Sequence, residues 1–234
     1  MALAESHRDA VLAAHPLLRH LRPEDLRRLA ATAQIIRHPR HATIFQKGDP
    51  GASMMAIIRG RVKICTFSND GRELVLNIID QGGMFGEIAL LDGRPRTADA
   101  VALEETELFV IERAQFLPFL TSNPEALARL LTVLCQRLRQ TSETLEDALL
   151  REAPSRLARG LLRLADTFGR ATPAGTRLTI KLSQQQIGSL IGASRESINK
   201  HIGEWTRAGH LGTEDGCLVL RDRALLQRIA EAEV

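Results

Sequence analysis

The sequence predicts an α+β chain: an antiparallel β domain first, a long helix next, and a helical domain with a helix-turn-helix and a β-hairpin wing last. Three observations predict it. Residues 35–112 are punctuated by glycine, with short apolar stretches between turn signals. Leu127, Leu131, Leu134, Leu138, Leu145 and Leu149 then follow at 4-3-4-7-4 spacing, a heptad-like seam with one interruption. Finally, Ser183 precedes Gln186 by three residues, and Gly192 separates the apolar segment they open from a second one behind Ser194.

In chain order, residues 1 to about 30 carry short helical patterns, Leu17, Leu18 and Leu21, then Leu26 and Leu29. Thr43-Ile44-Phe45, Met54 to Ile58 and Val62 to Phe67 read as strands. Between the strands lie turn signals: Lys47 to Gly51, Arg59-Gly60, Ser68 to Gly71, Gln81-Gly82-Gly83 and Leu91-Asp92-Gly93. Many short strands with such turns make a closed or double-sheet antiparallel domain.

Asn123 is placed to cap the long helix, with Pro124 at its first position. The leucine seam has two readings, a helix packed on its own domain or one half of a parallel pair in a homodimer. Thr141 and Ser142 fill the missing heptad position. Hydroxyls in a leucine seam are costly without partners, so they either fix register or touch a bound ligand. Pro154 breaks the helix, and Leu157, Leu161, Leu164, Ala165 and Phe168 mark another amphipathic helix ended by Gly169. The expected division is 1–122, a β domain with N-terminal helices; 123–153, the long helix and hinge; and 154–234, the winged helix-turn-helix.

The second helix of that motif buries Ile198, Ile202 and Trp205 and exposes Arg195, Glu196, Ser197, Asn199 and Lys200 in its first turns. Arginine binds the guanine edge in bidentate fashion, and glutamate accepts from cytosine N4. Ser183, Gln184 and Gln185, with Ser194, complete the candidate DNA-contacting set. Leu211 to Thr213, a Glu214-Asp215-Gly216 turn and Cys217 to Leu220 read as the wing. Charge agrees with a polyanion partner. Between Arg156 and Arg207 stand nine basic residues against three acidic ones, a net +6 within a chain of net +3.

Composition narrows the classes. Hydrophobic content of 44% and charged content of 25% fit an ordinary globular chain. No apolar run approaches the ~18 residues of a membrane span, and MALAESHRDA lacks a signal-peptide core, so a cytoplasmic location without a membrane partner is expected. Cys65, Cys135 and Cys217 form no CxxC pair or disulfide framework; Cys65 and Cys217 read as half-buried strand residues. His7, His15, His20, His38 and His41 lack metal-ligand spacing and read as surface residues, so no metal is expected. A cupin-like enzyme, the alternative from another class, needs clustered histidines and carboxylates that the sequence does not offer, and no enzymatic activity is expected.

One segment of the β domain has binding chemistry of its own. Gly86 followed by a short helical stretch, Glu87-Ile88-Ala89, exposes backbone N–H groups suited to an anion. Arg96 supplies a planar cation matched to phosphate, Thr97 a hydroxyl, and Glu87 an acceptor for a ribose hydroxyl. From spacing alone, the default reading of the segment is a surface loop with an Arg–Glu salt bridge. The string Phe85-Gly86-Glu87-Ile88-Ala89-Leu90-Leu91 with Arg96-Thr97-Ala98 resembles the phosphate-binding cassette of cyclic-nucleotide-binding domains. Together with Arg137 to Glu143 and Ala193 to Ser197, and with the order of elements, it makes residues 17 to 223 similar to the CRP/FNR family of bacterial transcription regulators. Within that family the likeness is greatest to the cyclic AMP receptor proteins.

The resemblance implies a double-stranded β-helix (a β-roll) for the first domain, and a homodimeric regulator of double-stranded DNA. A cyclic purine nucleotide, cyclic AMP or cyclic GMP, would be its allosteric effector, and RNA polymerase a further partner. By position, Arg96 would pair with the cyclic phosphate, aided by Thr97 and backbone near Ala98; Glu87, beside Gly86 and Ile88, would hold the ribose 2′-OH; Thr141 and Ser142 would contact the purine, one from each subunit. Arg195, Glu196 and Lys200 would enter the major groove. Two positions depart from the receptor pattern: Lys200 stands where arginine is usual, and Thr97 where serine is common, which leaves cyclic GMP open beside cyclic AMP. The alternative within the family is a regulator that binds DNA without a nucleotide or senses another signal.

Overall fold

The computed structural model describes Glu24 and residues 33–232; the helical patterns read over residues 17–29, and His7, His15 and His20, lie outside the described residues. The chain divides into two units. One runs to Phe67 and resumes over Leu76–Leu138; the other takes Ser68–Val75 and the chain from Arg139 onward.

The first unit is built on eight strands: β1 (Gln34–His38), β2 (Thr43–Phe45), β3 (Ser53–Arg59), β4 (Val62–Phe67), β5 (Glu73–Ile79), β6 (Met84–Phe85), β7 (Asp99–Ala102) and β8 (Thr106–Glu112). They form two four-stranded sheets, ordered β1-β8-β3-β6 and β2-β7-β4-β5. The pairing is nested, first strand with last and second with second-last, all antiparallel. Winding a hairpin on itself in this way gives a β-roll, whose two sheets close over a shared core.

Register explains why β3 reads as a continuous apolar run. Met54 lies opposite Ile111, Met55 opposite Val110, Ala56 opposite Phe109 and Ile57 opposite Leu108. Alternate residues point to opposite faces. Met55, Ile57, Leu108 and Val110 pack inside the roll with Val62, Ile79, Phe85 and Ala100. Met54, Ala56, Phe109 and Ile111 pack on the other face, under Phe116, Phe119 and Leu120 of helix α2 (Arg113–Ser122) and Ala126 and Leu130 of helix α3 (Pro124–Leu150). A sheet covered on both faces cannot afford the polar alternation of a half-exposed one. A further helix, α1 (Glu87–Asp92), follows β6 and adds Leu90 to this core.

The long helix α3 shows where the seam reading needs correction. Leu134 packs against its own β domain. Leu127, Leu131, Leu138, Leu145 and Leu149 form an exposed stripe, 40% to 73% accessible. Asn123 is also divided in its duties. Its carbonyl accepts from Leu127 N–H at 3.1 Å, but its side-chain amide donates back to Phe119 O at 3.1 Å, so the side chain closes α2 rather than capping α3.

In the second unit, helix α4 (Ala153–Phe168) is followed by β9 (Gly169–Thr172), β10 (Gly175–Leu178), α5 (Gln184–Ile191), α6 (Arg195–Arg207), β11 (Leu211–Glu214), β12 (Cys217–Leu220) and α7 (Arg223–Glu231). The wing is a four-stranded sheet, ordered β11-β12-β10-β9, rather than the lone hairpin read from the sequence. The β9–β10 hairpin and α7 are additions to that reading. Their local signals are short: a Thr172-Pro173-Ala174-Gly175 turn, and Asp222 capping α7 by accepting from Leu225 N–H at 2.9 Å. That bond holds the Asp222 carboxyl below the usual carboxylate range. Gly160 permits the approach of α4 to α5, since a Cβ there would stand 2.7 Å from Ile191 Cγ1. Cys65 and Cys217 are fully buried rather than half-buried, and Cys135 is exposed on α3; all three are free thiols.

Candidate ligand cavity and nucleic-acid interface

In the first unit, β6, α1 and the β7 approach meet at a cavity of about 370 Å³, partly open to solvent. It is lined by Gly86, Glu87, Ile88, Ala89, Arg96, Thr97 and Ala98, with Phe45, Ile64, Phe85 and Arg137. All seven β-domain residues singled out in the sequence therefore converge. Thr141 and Ser142 stand about a turn beyond Arg137 along α3, exposed, and are not among the lining residues.

The site is not a surface loop with a salt bridge. Arg96 is 5% exposed and Glu87 1%. Arg96 donates from Nη1 to Gly86 O at 2.8 Å and from Nη2 to Ser53 Oγ at 3.2 Å, and its guanidinium lies 4.3 Å from the centroid of the Phe45 ring. Gly86, at φ 81°, both permits the turn into α1 and leaves room for the arginine, because a Cβ would stand 2.7 Å from Nη1. Burial pushes Arg96 below the usual arginine value, while the charges of Glu87, Asp49 and Glu112 push it back up.

Glu87 is paired with Arg137, the first residue of the Arg137-to-Glu143 motif, whose role the sequence alone does not indicate. Arg137 Nη1 donates to Glu87 Oε1, and Nη2 to Met84 O. Two buried polar atoms beside the cavity remain without hydrogen-bond partners, Arg96 Nε and Glu87 Oε2. A native fold rarely leaves such groups unmet, since each costs roughly 1–3 kcal/mol. One cationic and one anionic edge in the same cavity suit a ligand bearing both an anion and a hydroxyl. Among the described residues, no group of three or more His, Cys, Asp or Glu could hold a metal ion.

In the second unit the helix-turn-helix is set by its caps. Ser183 Oγ accepts from Gln186 N–H at 3.1 Å, and Gln186 Oε1 accepts from Ser183 N–H at 2.8 Å. Gly192 takes φ 71° at the turn, and Ser194 Oγ accepts from Ser197 N–H at 3.2 Å. These are the caps that the sequence predicts. Ser183→Ala is expected to cost about 1 kcal/mol of stability, read as a lowered midpoint in urea unfolding. Ile198, Ile202 and Trp205 bury one face of α6, while Arg195, Glu196, Asn199 and Lys200 stand exposed on the other. Ser197 and Gln184 are half-buried, and Gln185, Ser183 and Ser194 exposed. The wing turn at Asp215-Gly216 has φ 50° and 79°, and Asp215 pairs with Arg177 on β10 at 3.0 Å. No helix among the described residues is long and apolar enough to cross a membrane.

Comparison with known proteins agrees with both halves. Residues 35–123 match the cyclic nucleotide-binding domain family, and residues 155–229 the Crp-like helix-turn-helix domain family. The chain is 34% identical over 222 residues to a CRP-like cAMP-activated global transcriptional regulator of Mycobacterium tuberculosis, covering 95% of this chain and 99% of that one. Among solved structures it is similar to FixK2 from Bradyrhizobium japonicum, with TM-score 0.76 and 20% identity over 86% of this chain and 99% of the other. It is also similar to the c-di-GMP responsive global regulator CLP of Xanthomonas campestris, with TM-score 0.72 and 25% identity over 85% and 99%. A nested β-roll, a cavity framed by Gly86, Glu87 and Arg96, and a capped helix-turn-helix with a wing thus sit in one chain, and the chain belongs to the CRP/FNR family of transcription regulators.

Proposed function

We propose that the chain is a homodimeric, sequence-specific DNA-binding regulator whose affinity for DNA is set by a cyclic purine nucleotide, cyclic AMP first and cyclic GMP second. The observation that carries the reading is the pair of unmet polar atoms, Arg96 Nε and Glu87 Oε2, beside one cavity. In this reading Arg96 and Thr97, with backbone near Ala98, hold the phosphate, and Glu87 accepts from the ribose 2′-OH, oriented by Arg137. Thr141 and Ser142 meet the purine, one from each subunit. The exposed stripe of Leu127, Leu131, Leu138, Leu145 and Leu149 supports a helix pair, since five accessible leucines in one row are costly in water.

Two recognition helices about 34 Å apart would read a pseudo-palindromic operator, presenting Arg195, Glu196 and Lys200 to base edges and Ser183, Gln184, Gln185, Ser194, Ser197 and Asn199 to phosphates or bases. The nucleotide acts by binding the DNA-competent arrangement more tightly than the other. A cytoplasmic location and contact with RNA polymerase belong to the same reading. Calorimetry with cyclic AMP and cyclic GMP, with and without a DNA fragment selected for binding, tests it. Micromolar or tighter binding of at least one nucleotide, strengthened by DNA, is expected, whereas absence of binding by both ends the ligand part. Arg195→Ala is expected to cost about 1–3 kcal/mol at a single base-pair position in competition assays, and a loss uniform across sequences would contradict base readout.

A second reading, in which another signal or none controls DNA binding, is favoured by one observation: Glu87 Oε1 is engaged by Arg137. The likeness to CLP, a c-di-GMP responsive regulator, points the same way. Equal DNA affinity with and without cyclic nucleotide would select it.

A further inference from the structure

Arg96 is buried and feels the charges of Glu87, Asp49 and Glu112, but it is hydrogen-bonded to neutral groups. Its hydrogen-bond acceptors are a carbonyl and a hydroxyl, Gly86 O and Ser53 Oγ. Its Cζ lies over the ring of Phe45, 4.3 Å from the ring centroid. The ring is itself braced, its centroid 5.8 Å from that of Phe85 and tilted by 37°. The backbone beside Phe45 is tied to Arg96 as well: Arg96 N–H donates to Asp49 O at 2.8 Å, Gly48 N–H donates to Arg96 O at 2.9 Å, and Gln46 N–H donates to Asp49 Oδ2 at 2.8 Å. The loop that follows strand β2 is therefore tied by backbone hydrogen bonds to the arginine segment, three residues from the ring.

The choice of partner matters chemically. A carboxylate against Arg96 would offset its desolvation but cancel the charge a ligand needs. An aliphatic side chain would leave the charge intact but offset nothing. An aromatic face attracts the cation through its quadrupole and accepts no proton and carries no net charge. We propose that Phe45 is the positioning residue that holds the Arg96 guanidinium buried, charged and oriented for an anionic ligand. This rests on the reading of Arg96 as the phosphate-binding residue, and the two are separable by experiment.

The test compares wild type, Phe45→Leu and Phe45→Tyr, each shown to be folded by its thermal transition. The first readout needs no ligand: the Nε–Hε resonance of Arg96, assigned by its loss in Arg96→Lys. Stacking on the ring is expected to shift it upfield in wild type and in Phe45→Tyr, and Phe45→Leu to return it to the ordinary arginine position. An unmoved resonance in Phe45→Leu overturns the proposal, whatever the protein binds. The second readout is calorimetric affinity for cyclic AMP, expected to fall about 3- to 30-fold in Phe45→Leu and to stay within about twofold in Phe45→Tyr. A shifted resonance with unchanged affinity overturns the role in ligand capture. If wild type binds neither cyclic AMP nor cyclic GMP while the resonance behaves as expected, the nucleotide reading fails and the ring–guanidinium contact stands.

Discussion

Arg96→Ala is expected to weaken cyclic nucleotide binding by about 3 kcal/mol, roughly a hundredfold, with little loss of fold stability. The two halves of that expectation come from the same geometry. Arg96 is 5% exposed and its Nε has no hydrogen-bond partner, so the fold bears the desolvation of a charged group without full compensation. Removing the side chain relieves that cost and leaves Gly86 O and Ser53 Oγ beside a cavity that water can enter. A phosphate brought to the same place would meet no cation. Calorimetry gives the affinity and a thermal scan gives the stability. An affinity unchanged within a factor of three would remove Arg96 from the binding role, and a variant that fails to fold would show the guanidinium to be structural instead.

The second large effect is expected at Asp147. Its side chain is 4% exposed and pairs with three arginines: Arg163 Nη1 donates a hydrogen bond to Oδ2 at 2.6 Å, while Arg151 Nε at 3.2 Å and Arg159 Nε at 2.8 Å lie beside Oδ1 as ion pairs without hydrogen-bond geometry. Asp147 lies in the last turn of α3, Arg151 just beyond its end, and Arg159 and Arg163 on α4, so one carboxylate joins both sides of the helix break. Arg151 also donates to Ala230 O at 3.0 Å, as does Ser155 Oγ at 3.1 Å, which ties the end of α7 to the same junction. Asp147→Ala would remove the carboxylate that three arginines share. Breaking a buried pair costs about 3–5 kcal/mol, and the partial exposure of the arginines, 20% to 31%, puts the expected value near 3 kcal/mol. Arg163→Ala should cost less, because Asp147 keeps two partners. Trp205 is the chain's single tryptophan and is buried on α6, so its fluorescence during urea unfolding reports on this unit. A loss smaller than about 1 kcal/mol would show that the arginines resolvate freely and that the junction does not depend on the carboxylate.

Much of the fold was legible because its signals are local. The capping box of Ser183 and Gln186 and the Ser194 cap depend on side chains within three residues of the backbone they satisfy, and the Gly192 and Gly216 turns on a backbone conformation that favours glycine. The cavity segment from Gly86 to Ala98 was legible for a different reason, a cassette specific enough to resemble a known family. The β9–β10 hairpin and α7 escaped notice because each is short and carries only a brief apolar pattern. Arg137 escaped because its partner, Glu87, is fifty residues away, and nothing in the spacing of a surface-patterned helix distinguishes an arginine that turns inward. Asn123 misled in the same way: as a residue before Pro124 it reads as a cap for the following helix, and only the position of Phe119 O shows which helix its amide serves.

By itself, the sequence determined the order of β domain, long helix and helix-turn-helix, and the caps and turns that delimit that motif, while its cassette carried the resemblance to a family. The first two rest on short-range hydrogen bonding and on the alternation of polar and apolar residues, which a linear string records; the resemblance rests on the motif itself. Tertiary structure alone decided that Leu134 faces its own β domain while five other leucines face outward, that Arg137 holds Glu87, that Phe45 stacks on Arg96, and that Asp147 gathers three arginines at the helix break. Each of these depends on burial and on the meeting of distant segments. Desolvation makes such meetings selective: a charge taken out of water must find a partner in space, and the partner's place in the sequence is immaterial.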